Sequence, residues 1–157
     1  MKKVTFFLVL IMNLSFAQQD FPAIDLKDLN AVTKNTSTFS ESDKLYIYSF
    51  WATWCAPCIQ ELEAINDVYE DWKTQVNVEL IAVATDDART QKRVKPLVNG
   101  KGWSYQILLD TNQDLKRKLG IANIPYLVIV KNGKIVFIQN GHTPGAEEEL
   151  LAKLKSL

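Results

Sequence analysis

Histidine occurs once in this 157-residue chain and cysteine only twice. Those three side chains fall short of the four ligands that a structural zinc site takes, so carboxylates would have to complete one. Two cysteines are also too few for the disulfide framework of a small secreted domain. Charge of neither sign is in excess, with 18 basic against 18 acidic residues, and nothing points to a nucleic-acid partner. The densest basic stretch, Arg89 to Lys95, has no interleaved aromatic residues and reads as a solvated helix face. There is no internal repeat and no low-complexity linker. Met1-Lys2-Lys3, the apolar run Val4 to Leu14, and Ser15-Phe16-Ala17 have the charged, apolar and small-residue parts of a secretory signal. That run is short for a membrane span, so a membrane tether is expected only if the signal stays uncleaved. Gln18 follows the cut, which excludes the lipid-modified cysteine of a bacterial lipoprotein. The expectation is a signal peptide over residues 1–17, export to the periplasm, and one domain over residues 18–157 with enough chain for a core.

What the chain does have is Phe50-Trp51-Ala52-Thr53-Trp54-Cys55-Ala56-Pro57-Cys58, which holds both cysteines where a strand pattern gives way to a helical one. Cys55 at the mouth of a helix would face unpaired backbone N–H groups and the positive end of the helix dipole, which favour thiolate over thiol. The thiolate is the species that attacks a disulfide. One turn later, Cys58 is positioned to attack the mixed disulfide that Cys55 would form. Pro57 suits the first helical turn, where a missing N–H is harmless. A structural bridge is the main alternative, although it would close only a tiny loop. Haem attachment would need histidine at position 59, which is Ile59.

Periodicity places the motif within a fold. Phe21 to Ser40 reads as a loose strand or hairpin, and Leu45 to Phe50 as a buried central strand. Cys58, Leu62, Ile65, Tyr69 and Trp72 mark one face of a helix from about Ala56 to Lys73. Val78 to Ala84 is a further strand. Thr85-Asp86-Asp87 supplies caps for a second helix running to about Asn99, with a kink or early stop at Pro96. A turn at Gly100-Lys101-Gly102, a strand from Tyr105 to Leu109 and a short helix from Asp114 to Leu119 come next. Ile124 to Val130 leads through Asn132-Gly133 into Ile135 to Ile138, a hairpin signal. Thr143 and Pro144 are expected to open a last helix, with Leu150, Leu151, Leu154 and Leu157 on one face and Glu149 four residues before Lys153. This order predicts an α/β fold: a central mixed sheet with helices on both faces and the cysteines at the carboxyl end of a central strand.

The cysteine motif followed by Glu61, the segment Leu108-Leu109-Asp110, Ile124-Pro125, Asn132-Gly133-Lys134 and Gly141 together resemble the thioredoxin fold. More narrowly, they resemble the exported thiol:disulfide oxidoreductases of the TlpA/ResA type. The likeness spans most of the chain after residue 17. It implies that Pro125 is a cis proline facing the cysteines and that the Ile124 backbone pairs with an extended substrate segment. Thioredoxins proper place a buried Asp six residues before the first cysteine, where this chain has Ser49. The TlpA/ResA type instead places a glutamate three residues after the second, which is Glu61. At 100° per residue Glu61 lies about 60° around the helix from Cys58, bordering the buried face. A carboxylate desolvated there would have a raised pKa and could take the Cys58 proton. Tyr126 stands where relatives often carry Thr and bears on the substrate groove, while Trp51 and Trp54 flank the site. His142 reads as a surface-loop residue. The resemblance implies a disulfide reductase of exported proteins, monomeric and without a cofactor, acting on protein disulfides and recharged by a membrane-bound thiol reductant. An oxidant or isomerase, or a peptide-binding module with a structural disulfide, are the alternatives.

Overall fold

Leu45–Trp51 is buried at all seven positions. A strand with no wet face needs a hydrogen-bonded neighbour on each edge and a packed layer on each side. The computed structural model describes residues 19–157, and the signal segment expected over residues 1–17 lies outside the described residues. Among the described residues, two short strands, β1 (Asp25–Asp28) and β2 (Thr33–Asn35), pair as an antiparallel hairpin. The buried strand is β3, followed by the helix α1 (Ala56–Gln75) and strand β4 (Val78–Ala84). Then come helix α2 (Val94–Lys101), strand β5 (Gln106–Leu109) and helix α3 (Asp114–Lys118). Strands β6 (Tyr126–Lys131) and β7 (Lys134–Asn140) and helix α4 (Ala146–Ser156) close the chain.

The strands form one sheet in the order β2-β1-β5-β4-β3-β6-β7. β3, β4 and β5 run parallel, joined by helical crossovers, while β6 and β7 are antiparallel additions on the other edge of β3. The alternation of side chains along each strand then divides the core into two layers. Leu45, Ile47 and Trp51 of β3 join Leu80 and Ala82 of β4 and Leu127 and Ile129 of β6 on one face, under α1, α2 and α4. Tyr46, Tyr48 and Phe50 join Ile81, Val83 and Val128 on the other, under Leu115 of α3. The α1 stripe of Cys58, Leu62, Ile65, Tyr69 and Trp72 is buried throughout, as the periodicity requires. The fold is thus the mixed α/β sheet, covered on both faces, that the element order implied.

Four local expectations fail for identifiable reasons. No helix starts at Thr85-Asp86-Asp87, because those side chains are engaged elsewhere. Thr85 donates through both N–H and Oγ to the Trp51 carbonyl, Asp86 holds Thr53, and Asp87 turns the chain by accepting from the Arg89 N–H. The helix begins at Val94 after a 3-10 turn, so Pro96 falls in its first turn, where it needs no N–H and forces no kink. Likewise α4 starts two residues beyond Pro144, with Gly145 at its N-cap at φ 88°. Lys153 lies over the Phe137 ring at 5.4 Å, and no ion pair links it to Glu149. The hairpin holds: Asn132 and Gly133 have φ 52° and 72°, the two positive angles of a type I′ turn.

Asp110 ties β5 to α3. Its buried carboxylate accepts from the N–H groups of Leu115 at 3.2 Å and Lys116 at 2.9 Å. Removing it leaves two helix-terminal donors without that partner, so Asp110→Ala should destabilise the protein by about 1–2 kcal/mol. Urea unfolding of the oxidised protein should show a lower midpoint at an unchanged slope. An unchanged midpoint would mean that the two donors lose nothing by solvation.

Candidate active site

The parallel strands end together, and there the backbone must find partners off the ladder. Beyond Trp51 the Cys55 N–H donates to the Ala52 carbonyl at 3.0 Å, and Ile59 N–H to the Cys55 carbonyl at 3.1 Å opens α1. Asp86, just past the end of β4 and almost wholly buried, accepts from Thr53 N–H at 2.9 Å and Thr53 Oγ at 2.5 Å. The loop that presents Cys55 is therefore clamped to the neighbouring strand through charge-assisted bonds. Asp86 was legible only as a helix cap, and nothing along the chain marks its link to Thr53, 33 positions away.

Cys55 is the N-cap of α1, and Pro57 sits in the first turn. The two cysteines are joined by a disulfide, with Cα atoms 5.3 Å apart. No acidic side chain occupies the first turn of α1, so the positive end of its dipole is not neutralised from within the helix. Cys55 retains 6% exposure and Cys58 none, so Cys55 is the more accessible of the pair. Trp54, beside it, is 61% exposed.

The strand β6 brings the proline to this end of the sheet. Phe50 pairs with Tyr126, so Pro125 lies beside the end of β3, and the Ile124–Pro125 bond is cis. The Pro125 carbonyl accepts from Gly141 N–H at 2.9 Å. Ile124 packs against both core layers, and among the described residues its backbone makes no hydrogen bond to other backbone. Tyr126 packs instead against the layer with Phe50 and Val128, on the sheet face opposite Cys58 and Glu61. The period-2 alternation after Ile124-Pro125 could have shown this.

Glu61 is 3% exposed on the buried side of α1, one turn after Cys58. Its Oε2 accepts from Ser49 Oγ at 2.9 Å, and its Oε1 has no protein partner. Burial pushes the carboxyl from 4.5 up to about 7, while the Ser49 bond pulls it down in part. A carboxyl poised there can both give and take a proton near neutrality. Ser49 stands where thioredoxins proper carry the buried Asp, and from sequence it had no expected part in the site. Its signal was a lone serine in a strand otherwise aliphatic and aromatic, on the face that looks toward α1. His142, read as a surface-loop side chain, is only half-exposed, and its Nδ1 is buried without a partner. No cluster of three or more His, Cys, Asp or Glu side chains able to hold a metal occurs among the described residues. No helix among them is long and apolar enough to cross a membrane.

The chain is similar to known proteins in sequence and in fold. The model of the AhpC/TSA family matches residues 17–139. A thiol-disulfide oxidoreductase ResA of Bacillus thuringiensis (strain Al Hakam) is 32% identical over 114 residues, which cover 72% of this chain and 57% of that protein's length. Among solved structures, a thioredoxin-like protein from Porphyromonas gingivalis superposes with a TM-score of 0.76 at 44% identity, covering 87% of this chain and 90% of that one. StoA from Bacillus subtilis superposes with a TM-score of 0.67 at 19% identity, over 84% and 97% of the two chains, a likeness of fold. The thioredoxin-like, TlpA/ResA-type resemblance read from the cysteine motif is borne out.

Glu61 makes stability depend on pH in a known direction. Between pH 4.5 and about 7 the folded protein holds a proton that the unfolded chain has released, so stability falls as pH rises through that window and levels off above it. The loss attributable to this carboxyl is about 3 kcal/mol. Glu61→Gln should therefore match the wild type near pH 5 and exceed it in stability near pH 8, as read by urea unfolding of the oxidised forms. Parallel pH profiles for the two would place Glu61 in water.

Proposed function

Because this chain belongs to the AhpC/TSA family, we propose that it is a thiol:disulfide oxidoreductase that reduces disulfides of exported proteins through Cys55 and Cys58. The observation that carries this reading is a cysteine pair at the N-terminus of α1 with a buried, half-bonded carboxyl one turn deeper on the same helix. A structural bridge has no use for that carboxyl.

In the reduced protein, Cys55 attacks as the thiolate, favoured by the dipole of α1 and by the backbone N–H groups of its first turn. A bond forms between Cys55 Sγ and one sulfur of the substrate disulfide, and the other substrate sulfur leaves as a thiolate that takes up a proton. Glu61 then accepts the proton of Cys58. The Cys58 thiolate attacks Cys55 Sγ, the mixed disulfide breaks, and the second substrate sulfur leaves reduced. The substrate has gained two electrons, which the protein has lost by closing Cys55–Cys58; both substrate thiolates take their protons from solvent, and the proton of Cys58 rests on Glu61. Ile124 and Trp54 fit the substrate-side role, one with backbone groups unused by the sheet and the other with an exposed ring beside Cys55. The charged, apolar and small-residue pattern of residues 1–17 supports export to the periplasm. In an oxidising compartment the reduced form must then be regenerated by a membrane-bound thiol reductant.

Cys58→Ser should accumulate covalent Cys55 adducts with client proteins on non-reducing gels, and Cys55→Ser should not. Insulin reduction should proceed with the wild type and stop with either variant. Equal trapping by both would overturn the division of labour, and insulin turnover that ignores both cysteines would leave a peptide-binding module.

A further inference from the structure

Four buried side-chain nitrogen or oxygen atoms lack a hydrogen-bond partner among the described residues, and three of the four residues that carry them line one small cavity. The three atoms are Glu61 Oε1 on α1, His142 Nδ1 in the connection after β7, and Glu147 Oε2 in the first turn of α4. Ile65 and Leu150 supply apolar wall and Gln139 of β7 a further polar group. The space open to the centre of a water-sized sphere is about 10 Å³, room for about one water held by two to four polar partners. Orphaned polar atoms scattered through a core would be unrelated defects. Carried by residues that line one water-sized space, they can share a single bridging partner.

We propose that His142 and Glu147, bridged to Glu61 by one water in this cavity, form the path by which the proton taken from Cys58 leaves the protein. The proposal rests on the reading that Glu61 is the base for Cys58. Neutral His142, protonated on Nε2, offers Nδ1 as an acceptor. Protonated Glu61 gives its proton to the water, and the water gives one of its own to His142 Nδ1. The carboxylate is restored, the imidazole becomes imidazolium, and the half-exposed ring releases the proton to solvent. One proton enters, one leaves, and no electron moves. Glu147 favours the imidazolium as a neighbouring anion. The groups that face Glu61 from each packed element are Ser49 of β3, Gln139 of β7, His142 and Glu147, of which the last two are the ionisable ones. His142 touches no sulfur and acts through Glu61, so it is a positioning residue.

The test uses the full domain and two readouts, the ¹³C titration of the Glu61 carboxyl and the pH profile of insulin reduction. The Glu61 signal is assigned by its loss in Glu61→Gln. His142→Gln removes a potential cation and should move the Glu61 midpoint up, whereas Glu147→Gln removes an anion and should move it down. A disturbed fold has no reason to produce opposite shifts. His142→Gln should slow turnover near neutral pH by about fivefold, and in the Glu61→Gln background it should slow it no further. Superimposable Glu61 titrations in all three proteins, or a His142 effect that adds fully to that of Glu61→Gln, would overturn the relay while leaving Glu61 as the base. A Glu61→Gln protein with wild-type turnover and pH profile would overturn the base and the relay together.

Discussion

The burial of β3 on both faces is the constraint on which the other features of the fold depend. Seven consecutive residues without access to water cannot form an edge or a surface, so β4 and β6 must flank the strand and helices must cover it on either side. At its carboxyl end the backbone leaves a saturated ladder, and the polar groups beyond it have to find partners locally. Thr85 takes the Trp51 carbonyl, Asp86 takes Thr53, and α1 starts with Cys55 as its cap. The cysteines stand where they do because the most buried strand ends there. The antiparallel pairing of β6 with that strand carries Pro125 to the same end.

Against this apolar ground, Glu61 is the expensive feature. A buried carboxyl is tolerated when it is neutral or fully hydrogen-bonded, and Glu61 is held between the two conditions. Ser49 satisfies one oxygen, too little to stabilise the anion fully and enough to fix the side chain. Burial still outweighs that bond, and the carboxyl is pushed up to about 7. In thioredoxins proper the acid belongs to the strand. Here the strand keeps a hydroxyl at position 49 and the helix carries the acid, and the two are joined by a hydrogen bond within one core layer.

Most of the architecture was legible because it is periodic. The α1 stripe, β4, the β6–β7 hairpin with its Asn-Gly turn and the short helix before Gly120 all appear within a few residues of where pattern put them. What failed was the assignment of polar side chains that have more than one possible partner. Thr85, Asp86 and Asp87 are sound helix caps by composition, yet each is engaged in the loops at the end of the sheet. Glu149 and Lys153 are spaced for an ion pair, yet Lys153 covers Phe137 instead. For Tyr126, the strand alternation turns the residue away from the sulfurs. His142 was underestimated because its loop looks exposed along the chain, and only the packing of β7 and α4 against α1 buries its Nδ1.

The amino-acid sequence by itself determined the pair of thiols, their place at a strand-to-helix junction, the apolar faces that assemble the sheet, and the presence of an acid one turn below Cys58. These are local facts, set by spacing and by the 2.0 and 3.6 residue periods of the backbone. Only the tertiary structure decided that Ser49 would donate to Glu61, that Asp86 would hold Thr53, and that Glu61 of α1, His142 of the β7–α4 connection and Glu147 of α4 would line one small cavity. Those outcomes depend on distances between segments remote along the chain. In a dry core a hydrogen bond or its absence shifts a proton equilibrium by amounts that no residue's own chemistry can specify.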